Sequence, residues 1–257
     1  KVVLVSTIPS RRRPWRHLAT TLSAAVGLSV LAAAPTQATE VEPVAVADPV
    51  TIALIDINDF HGRIDANTVS FAGTVEELRD RHGEESTLFL SAGDNIGASL
   101  FASATQQDQP TIDVLNALDL AVSAVGNHEF DRGVADLLGR VETESDYPYL
   151  AANVLGPDGE PILPAYEIFE VGGLDVAVIG TVTEETPSLV SPAGIEDLTF
   201  VDPVEAVNDT VADLEALEDA PDVIVAAYHE GAGAGTPDGA TLEEEVAGGG
   251  AFADIVT

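Results

Sequence analysis

The chain has 257 residues, 46% of them hydrophobic, and carries 10 Lys and Arg against 44 Asp and Glu, a formal net charge of −34. Such an acidic chain has no basic patch with which to hold DNA or an anionic lipid surface, so we expect no nucleic-acid partner. The absence of Cys excludes disulfide bonds and thiolate metal sites. The apolar content is sufficient for a folded core, and the length allows one large domain or two small ones.

The first part of the chain differs from the rest in charge. Half of the basic residues lie within residues 1–16, and the first acidic residue is Glu40. A basic segment at 10–17 precedes mostly small or apolar residues at 18–34, and Thr36 and Ala38 then stand at positions that an export peptidase reads. This order predicts a signal peptide region at 1–39, followed by a linker at 40–49.

The signal peptide implies an exported protein that is secreted, periplasmic or associated with the cell wall. The alternative is a membrane anchor, but the apolar segment is at the short limit for a span and is rich in Ala and Ser. We therefore expect no stable membrane insertion after the signal is removed.

Strand and helix patterns alternate along the remaining chain. Runs of apolar and β-branched residues predict strands at 50–55, 86–91, 120–125, 174–182 and 222–227. Apolar residues at helical spacing, or a proline at the first turn, predict helices at 71–81, 110–118 and 203–217. Residues 231–250 are rich in Gly and acidic residues, which is typical of a surface loop with a short helix. The alternation predicts an α/β fold.

Clusters of Asp, Asn, His and Gly follow four of the predicted strands. In open α/β sheets, ligands bind beyond the carboxyl ends of the strands, so we expect these clusters to build one site. Asp59 and Asp94 are separated by about the length of one βαβ unit, and so are Asp94 and Asn127. The candidate ligands are Asp59, His61, Asp94, Asn127, His128 and His229. Asp56 is set aside because Asp59 lies nearer the mouth of the strand.

These candidates offer oxygen and imidazole donors without sulfur. Such a mixture suits divalent ions of the Mn, Zn, Co or Fe class. Two neighbouring ions need a bridging carboxylate, and together they activate a water and clamp the attacking and leaving oxygens of a phosphoryl displacement. A histidine outside the metal shell would protonate the leaving oxygen. Asp131 lies three residues after His128 and would hold that ring if the turn begins a helix.

Taken singly, most of these motifs are also compatible with ordinary structure. Asn-Asp-Phe-His-Gly and Gly-Asp-Asn-Ile-Gly are compatible with turns, and His229 with a core or loop histidine. Gly-Asn-His-Glu-Phe-Asp at 126–131 is far less common by chance. Their joint occurrence at successive strand ends favours a functional site.

With these motifs the chain resembles the calcineurin-like metallophosphoesterases, in particular the exported 5′-nucleotidase/UDP-sugar hydrolase branch. The matching pieces are Asn-Asp-Phe-His-Gly at 58–62, Gly93-Asp94 with Gly97, and Gly-Asn-His-Glu-Phe-Asp at 126–131. The resemblance covers residues 50–257 and implies a four-layer αββα sandwich, with a further strand at 147–154.

The resemblance also implies a role for each candidate residue. Asp59 and His61 would bind the first ion, and Asp94 would bridge both ions. Asn127 and His229 would bind the second ion. His128, paired with Asp131, would be the catalytic acid or transition-state stabiliser.

Two departures from the family pattern concern the last motifs. Where the family commonly has Ser-His-x-Gly, this chain has Tyr-His-Glu-Gly at 228–231, which places Glu230 beside the site. The family's final Gly-His-x-His or Gly-His-x-Gln motif does not occur. We therefore expect residues 50–257 to be a catalytic domain truncated at its C-terminus, with the family's C-terminal substrate-binding domain absent.

The leading hypothesis is a metal-dependent phosphomonoester hydrolase that acts on nucleotides or nucleotide sugars. A 2′,3′-cyclic-nucleotide 2′-phosphodiesterase/3′-nucleotidase would share the same motifs. A secreted protein that binds a metal or ligand without turnover is the non-enzymatic alternative. Metal identity, base preference and oligomeric state stay open at this point.

Overall fold

A computed structural model describes residues 3–8, 49–232 and 239–257 of the protein. The greater part of the predicted signal peptide region, and the linker up to residue 48, lie outside the described residues. Among the described residues, 3–6 and 52–257 belong to one compact unit.

The strands are β1 (Val3–Ile8), β2 (Val50–Ile57), β3 (Thr87–Ser91), β4 (Val122–Ala124), β5 (Tyr149–Leu150), β6 (Val154–Leu155), β7 (Tyr166–Val171), β8 (Leu174–Val182), β9 (Thr199–Phe200) and β10 (Val223–His229). The α-helices are α1 (Thr68–His82), α2 (Phe101–Ala104), α3 (Gln109–Ala117), α4 (Val134–Asp136), α5 (Glu142–Glu144), α6 (Thr186–Leu189), α7 (Pro203–Glu215), α8 (Leu242–Gly248) and α9 (Ala251–Val256). Within the described part of the chain, 3-10 turns lie at Glu84–Ser86, Asn127–Phe130 and Pro192–Gly194, and a π-helical turn lies at Leu137–Val141.

The first sheet has the strand order β1-β2-β3-β4-β5, and β2 to β5 pair in parallel. Its strands are near-continuous apolar runs because a parallel sheet is covered on both faces. The carboxyl ends of β2, β3 and β4 therefore lie at one edge, where the polar clusters follow.

The second sheet has the order β10-β8-β7, with β10 parallel and β7 antiparallel to β8. Strand β7 was not predicted from the sequence. A hairpin turn at Gly172 and Gly173, both with positive φ, connects β7 to β8. Such a turn needs residues that tolerate positive φ, and the Gly-Gly pair was the available signal. A separate antiparallel pair joins β6 and β9.

The two sheets pack face to face with helices on the outside. At Gly180 of β8, an added Cβ would lie 2.6 Å from Leu150 Cβ of β5, so the sheets can meet closely only where the side chain is absent. The helices α1 and α3 contribute Val75 and Leu115 to the core beside β3. Helix α7 contributes Val207 and Leu214 to a second cluster with β8. This arrangement confirms the predicted α/β fold with layered helices and sheets.

The single strand predicted at 147–154 was wrong: two short strands of different sheets, β5 and β6, stand there, because the N–H groups of Ala151 and Ala152 bond the carbonyls of Pro164 and Gly180 between them. The other predicted elements agree with the structure except at their ends. Strand β4 begins two residues later than predicted because the N–H of Leu120 still bonds the carbonyl of Leu115, which completes the end of α3. Strand β10 continues two residues further than predicted, to His229, because it stays paired with β8 up to Val182. No helix in the described part of the chain is long and apolar enough to span a bilayer.

Candidate functional site

The backbone holds the loops after β2 and β3 side by side beyond the end of the sheet. The pairs are the N–H of Ala92 with the carbonyl of Ile57 at 2.8 Å, Asp59 with Gly93 at 3.1 Å, His61 with Asp94 at 2.9 Å, and Gly62 with Asn95 at 3.0 Å. These bonds continue the pairing of two parallel strands into the polar clusters. The side chains of the two motifs are therefore brought together by the main chain itself.

Three of the predicted ligands have left-handed backbone conformations. The φ angles are 51° at Asp59, 46° at His61 and 55° at Asp94. Residues with a Cβ rarely adopt this conformation, which costs about 1–3 kcal/mol per residue, so the surrounding structure must stabilise it. The hydrogen bonds between the two loops supply that constraint and turn these side chains to one side.

Asp94 lies at the centre of the site and is almost completely buried. Its Oδ2 is 3.3 Å from Nε2 of His229 and 3.7 Å from Nε2 of His61. Its Oδ1 accepts the backbone N–H of His128 at 2.8 Å. Asp59 completes this edge, with Oδ1 3.5 Å from Nε2 of His61. The clusters after β2, β3, β4 and β10 thus converge, as the sequence predicts.

Backbone carbonyls orient two of the imidazole rings. Nδ1 of His61 lies 3.0 Å from the carbonyl oxygen of Gly97, and Nδ1 of His229 lies 2.9 Å from that of Ala92. A carbonyl can only accept, so each Nδ1 carries the proton. In the neutral ring, Nε2 then offers its lone pair toward Asp94, which is the arrangement a metal-binding histidine requires.

Two overlapping groups of donor atoms could each hold a metal ion. One group comprises His61, Asp94 and His128, and the other comprises Asp59, Asp94 and His229. Within each group the donor atoms lie within 4.8 Å of one another. Both groups contain Asp94, and the carboxylate and imidazole donors suit a divalent ion of the transition-metal class.

Asn127 and His128 begin the 3-10 turn after β4. Asn127 is partly buried and follows Gly126, where an added Cβ would lie 2.1 Å from Oδ1 of Asp94. The backbone on both sides of Asn127 is therefore held against Asp94, since His128 donates its N–H to the same oxygen.

His128 and Asp131 form the predicted pair. Nδ1 of His128 is 2.9 Å from Oδ2 of Asp131, because the 3-10 turn places the two side chains on one face. The ring of His128 meets that of His61 edge-on with centroids 5.0 Å apart. At Gly97, an added Cβ would lie 2.6 Å from Oδ2 of Asp131, so this glycine leaves room for the pair.

The buried charges shift one another's pKa values. Burial alone would raise the pKa of Asp94, but the hydrogen bond and charge of His229 outweigh it and lower that pKa. Burial would lower the pKa of His229, but its bond to Asp94 and the nearby carboxylates raise it to about 9. In the absence of metal, Asp94 therefore holds a proton on His229.

Glu129 is a buried carboxyl group that the sequence analysis did not assign to the site. It is 2% exposed and accepts backbone N–H groups from Asp94, Asn95, Ile96 and Gly126. Burial raises its pKa to about 7, and the charge of Asp94 adds to this shift, while the backbone N–H bonds oppose it. Its position inside the Gly-Asn-His-Glu motif is the sequence feature that could have indicated a role in the site.

A cleft of about 350 Å³ opens beside the site between the loops after β2 and β10. Asp59, His229 and Glu230 are among its lining residues, together with Asp56. Oε2 of Glu230 and Oδ1 of Asp56 are buried and have no hydrogen-bond partner among the described residues. The cleft therefore adjoins the donor groups and carries further negative charge.

Residues 55–249 match the calcineurin-like phosphoesterase family. The match covers most of the chain, which belongs to this family of phosphoesterases. Among similar proteins, "Endonuclease YhcR" of Bacillus subtilis is 34% identical over 194 residues, covering 65% of this chain and 16% of that protein. A "5'-nucleotidase" of Vibrio vulnificus is 33% identical over 220 residues, covering 82% of this chain and 39% of that protein.

A solved structure similar to this one is that of a putative 5′-nucleotidase from Staphylococcus aureus. It superposes with a TM-score of 0.60 at 25% sequence identity, over 72% of this chain and 39% of that one. The chain thus spans well under half the length of these relatives. The fold and family are shared, and the predicted family membership is confirmed.

Proposed function

We propose that this protein is a metal-dependent phosphomonoester hydrolase of the 5′-nucleotidase type, with residues 50–257 as its catalytic domain. The observation that carries the proposal is the position of Asp94, which belongs to both groups of potential metal-binding atoms. A carboxylate shared in this way is what two neighbouring divalent ions need as a bridge.

Within this proposal the ligands divide between two ions of the Mn, Zn, Co or Fe class. By the family resemblance, Asp59 and His61, 3.5 Å apart, would hold the first, and Asn127 and His229 the second. This division differs from the grouping by distance, which places Asp59 with His229 and His61 with His128. Asp94 would bind both. The bound ions would supply Lewis-acid activation of the attacking water and neutralise charge on the phosphoryl group.

His128 would act on the leaving oxygen. Its Nδ1 is directed at Asp131, so Nε2 is the atom that can give a proton to the leaving alkoxide. The carboxylate of Asp131 accepts from Nδ1 and keeps the ring in this orientation. The pair is partly exposed, with 29% of the His128 side chain accessible, so a substrate can reach it.

A nucleotide is the favoured substrate class. The relatives named as 5′-nucleotidases support it, and nucleotide sugars are a related possibility. The name of the Bacillus relative raises endonuclease activity as an alternative. The net charge of −34 disfavours it, because a nucleic-acid polyanion gains affinity chiefly from basic residues.

Phosphate release from AMP by the full-length protein, with and without added Mn²⁺, tests the proposal. We expect turnover that EDTA abolishes and that Mn²⁺ restores. Parallel assays with 2′,3′-cyclic AMP and single-stranded DNA distinguish the alternatives. Faster turnover of either substrate would contradict the 5′-nucleotidase assignment, and tight metal binding without turnover of any of them would favour the non-enzymatic alternative.

We further infer that the protein is exported and carries no stable membrane insertion afterwards. The support is the order of basic, apolar and small residues at 10–38. N-terminal sequencing of the protein recovered outside the cytoplasm should begin after Ala38. Recovery of the uncleaved chain in the membrane fraction would contradict export by a cleaved signal.

A further inference from the structure

We propose that Glu129 is a positioning residue for the carboxylate that the two metal ions share. The inference rests on the proposed function above and goes beyond it, because Glu129 is not directed at the ions. Its role would be to hold the loop that carries Asp94 against the loop that carries Asn127 and His128.

The contacts of Glu129 join the two loops at their main chains. Its Oε2 accepts the N–H of Asp94 at 2.8 Å and that of Gly126 at 2.5 Å. Its Oε1 accepts the N–H of Asn95 at 2.9 Å and that of Ile96 at 3.3 Å. One side chain thus satisfies four backbone donors that no strand or helix pairs.

These bonds determine where the carboxylate of Asp94 lies. Asp94 has a left-handed φ of 55°, a conformation that an aspartate keeps only when its neighbours hold it. With its N–H bound to Glu129, its Oδ1 accepts the N–H of His128 and its Oδ2 points between His61 and His229. If the N–H bonds were lost, the loop could relax and Oδ2 would leave this position.

The side chain of Asn95 bonds residues of β3 and β4 and so stabilises the loop that carries Asp94. Its Oδ1 accepts the hydroxyl of Ser91 at 2.7 Å, and its Nδ2 donates to the hydroxyl of Ser123 at 2.8 Å. All three residues are fully buried, so their side chains are not exposed to solvent. Glu129, which is also buried, accepts backbone N–H groups from the loop that carries Asp94 and from Gly126 in the loop after β4.

The substitution Glu129→Gln tests this role at nearly constant volume. An amide keeps one acceptor oxygen but, in either orientation, directs its NH₂ group at two backbone N–H donors, so at least two of the four bonds are lost and replaced by a donor–donor clash. Residues that support metal ligands typically change metal affinity by roughly 10- to 100-fold when altered. We expect the affinity for the second ion to fall by this factor in E129Q, while the affinity for the first ion stays within a few-fold of the wild-type value.

The measurement is Mn²⁺ titration by calorimetry with electron paramagnetic resonance of the loaded protein. The full-length wild-type protein should bind two ions per chain and show the spectrum of an exchange-coupled Mn²⁺ pair. E129Q should show mainly the spectrum of isolated Mn²⁺ at the same concentration. Glu167→Gln is the control, since it makes the same chemical change at an exposed position on β7, outside the loops that carry the candidate ligands.

A second variant covers the case in which E129Q does not fold. Glu129→Asp keeps the charge and both oxygens but is one methylene shorter. It should therefore reduce the affinity for the second ion less than Glu129→Gln does. Wild-type affinity and a coupled spectrum in every folded Glu129 variant would overturn the inference and leave the proposed function intact. A wild-type protein that binds fewer than two ions would overturn both.

Discussion

Oδ2 of Asp94 lies 3.3 Å from Nε2 of His229, and this contact joins the two sheets of the sandwich. Asp94 follows β3 of the first sheet, whereas His229 is the last residue of β10 in the second. Neither sheet alone contains the complete set of candidate ligands. Metal binding should therefore depend on the packing of the sheets as much as on the ligands themselves.

Substituting Asp94→Asn should remove the shared ligand with little change of shape. An amide binds cations weakly and cannot bridge two of them, so we expect loss of the second ion and a fall in kcat for AMP. Several kcal/mol of transition-state stabilisation correspond to roughly 1000-fold in rate. Metal stoichiometry and turnover of D94N, with the exposed Asp113→Asn as control, check this. A D94N enzyme with normal turnover would rule out Asp94 as the bridge.

Replacing His128 by Asn should slow substrates with poor leaving groups most. General acid catalysis contributes about 100- to 10,000-fold, but only where the leaving oxygen needs a proton. We expect H128N to lose most of its activity on AMP and much less on p-nitrophenyl phosphate, whose leaving group is a stable anion. Asp131→Asn should show the same preference in weaker form. Equal losses on both substrates would argue against an acid role for His128.

The close approach of Gly126 to Asp94 predicts a large difference between two Gly→Ala substitutions. At Gly126 the added Cβ would lie 2.1 Å from Oδ1 of Asp94, so the loop must shift, at a cost of about 1–3 kcal/mol in unfolding free energy. At Gly73, on α1, no described atom lies within 4 Å, and alanine should stabilise the helix by up to about 1 kcal/mol.

Urea unfolding and Mn²⁺ titration of both alanine variants measure the difference. We expect G126A to lose stability and metal affinity together and G73A to lose neither. Wild-type stability and metal binding in G126A would show that the glycine is not required by the site.

Asp56 gives a prediction about pH. Burial raises its pKa to about 6, from about 3.8, so the folded state favours the neutral acid and ionisation destabilises it. The cost is absent below pH 3.8, grows as the pH rises to about 6, and is then constant at up to roughly 3 kcal/mol. Asp56→Asn should thus gain stability over wild type at pH 7.5 but not at pH 3.5, as measured by urea unfolding. An equal gain at both values would contradict this account.

The net charge of −34 predicts that salt stabilises the protein. At low ionic strength the acidic surface repels itself, and salt at molar concentration reduces the range of this repulsion to about 3 Å. The thermal midpoint should rise between low and molar NaCl. An unchanged midpoint would show that the acidic residues are far enough apart to tolerate low salt.

The sequence was most informative where a motif combined several residue types over a short span. Gly-Asn-His-Glu-Phe-Asp at 126–131 indicated His128 and Asp131 as a pair, and the 3-10 turn joins them at 2.9 Å because they are only three residues apart. Strand β8 was predicted with its observed bounds because its apolar run is long and buried. Strand β7 was missed because its residues alternate only weakly and its pairing with β8 depends on the Gly172-Gly173 turn.

By itself, the sequence determined the alternation of strands and helices, the family and the identity of the candidate ligands, since these follow from local residue patterns. Only the tertiary structure decided that Asp94 is common to both donor groups and that Glu129 holds its loop. Those relationships depend on left-handed backbone angles and on close approaches between loops that are distant in the chain. Such geometry arises when the strands of the first sheet assemble and the second sheet packs on them, because no local pattern of residues specifies a distance between separate strands.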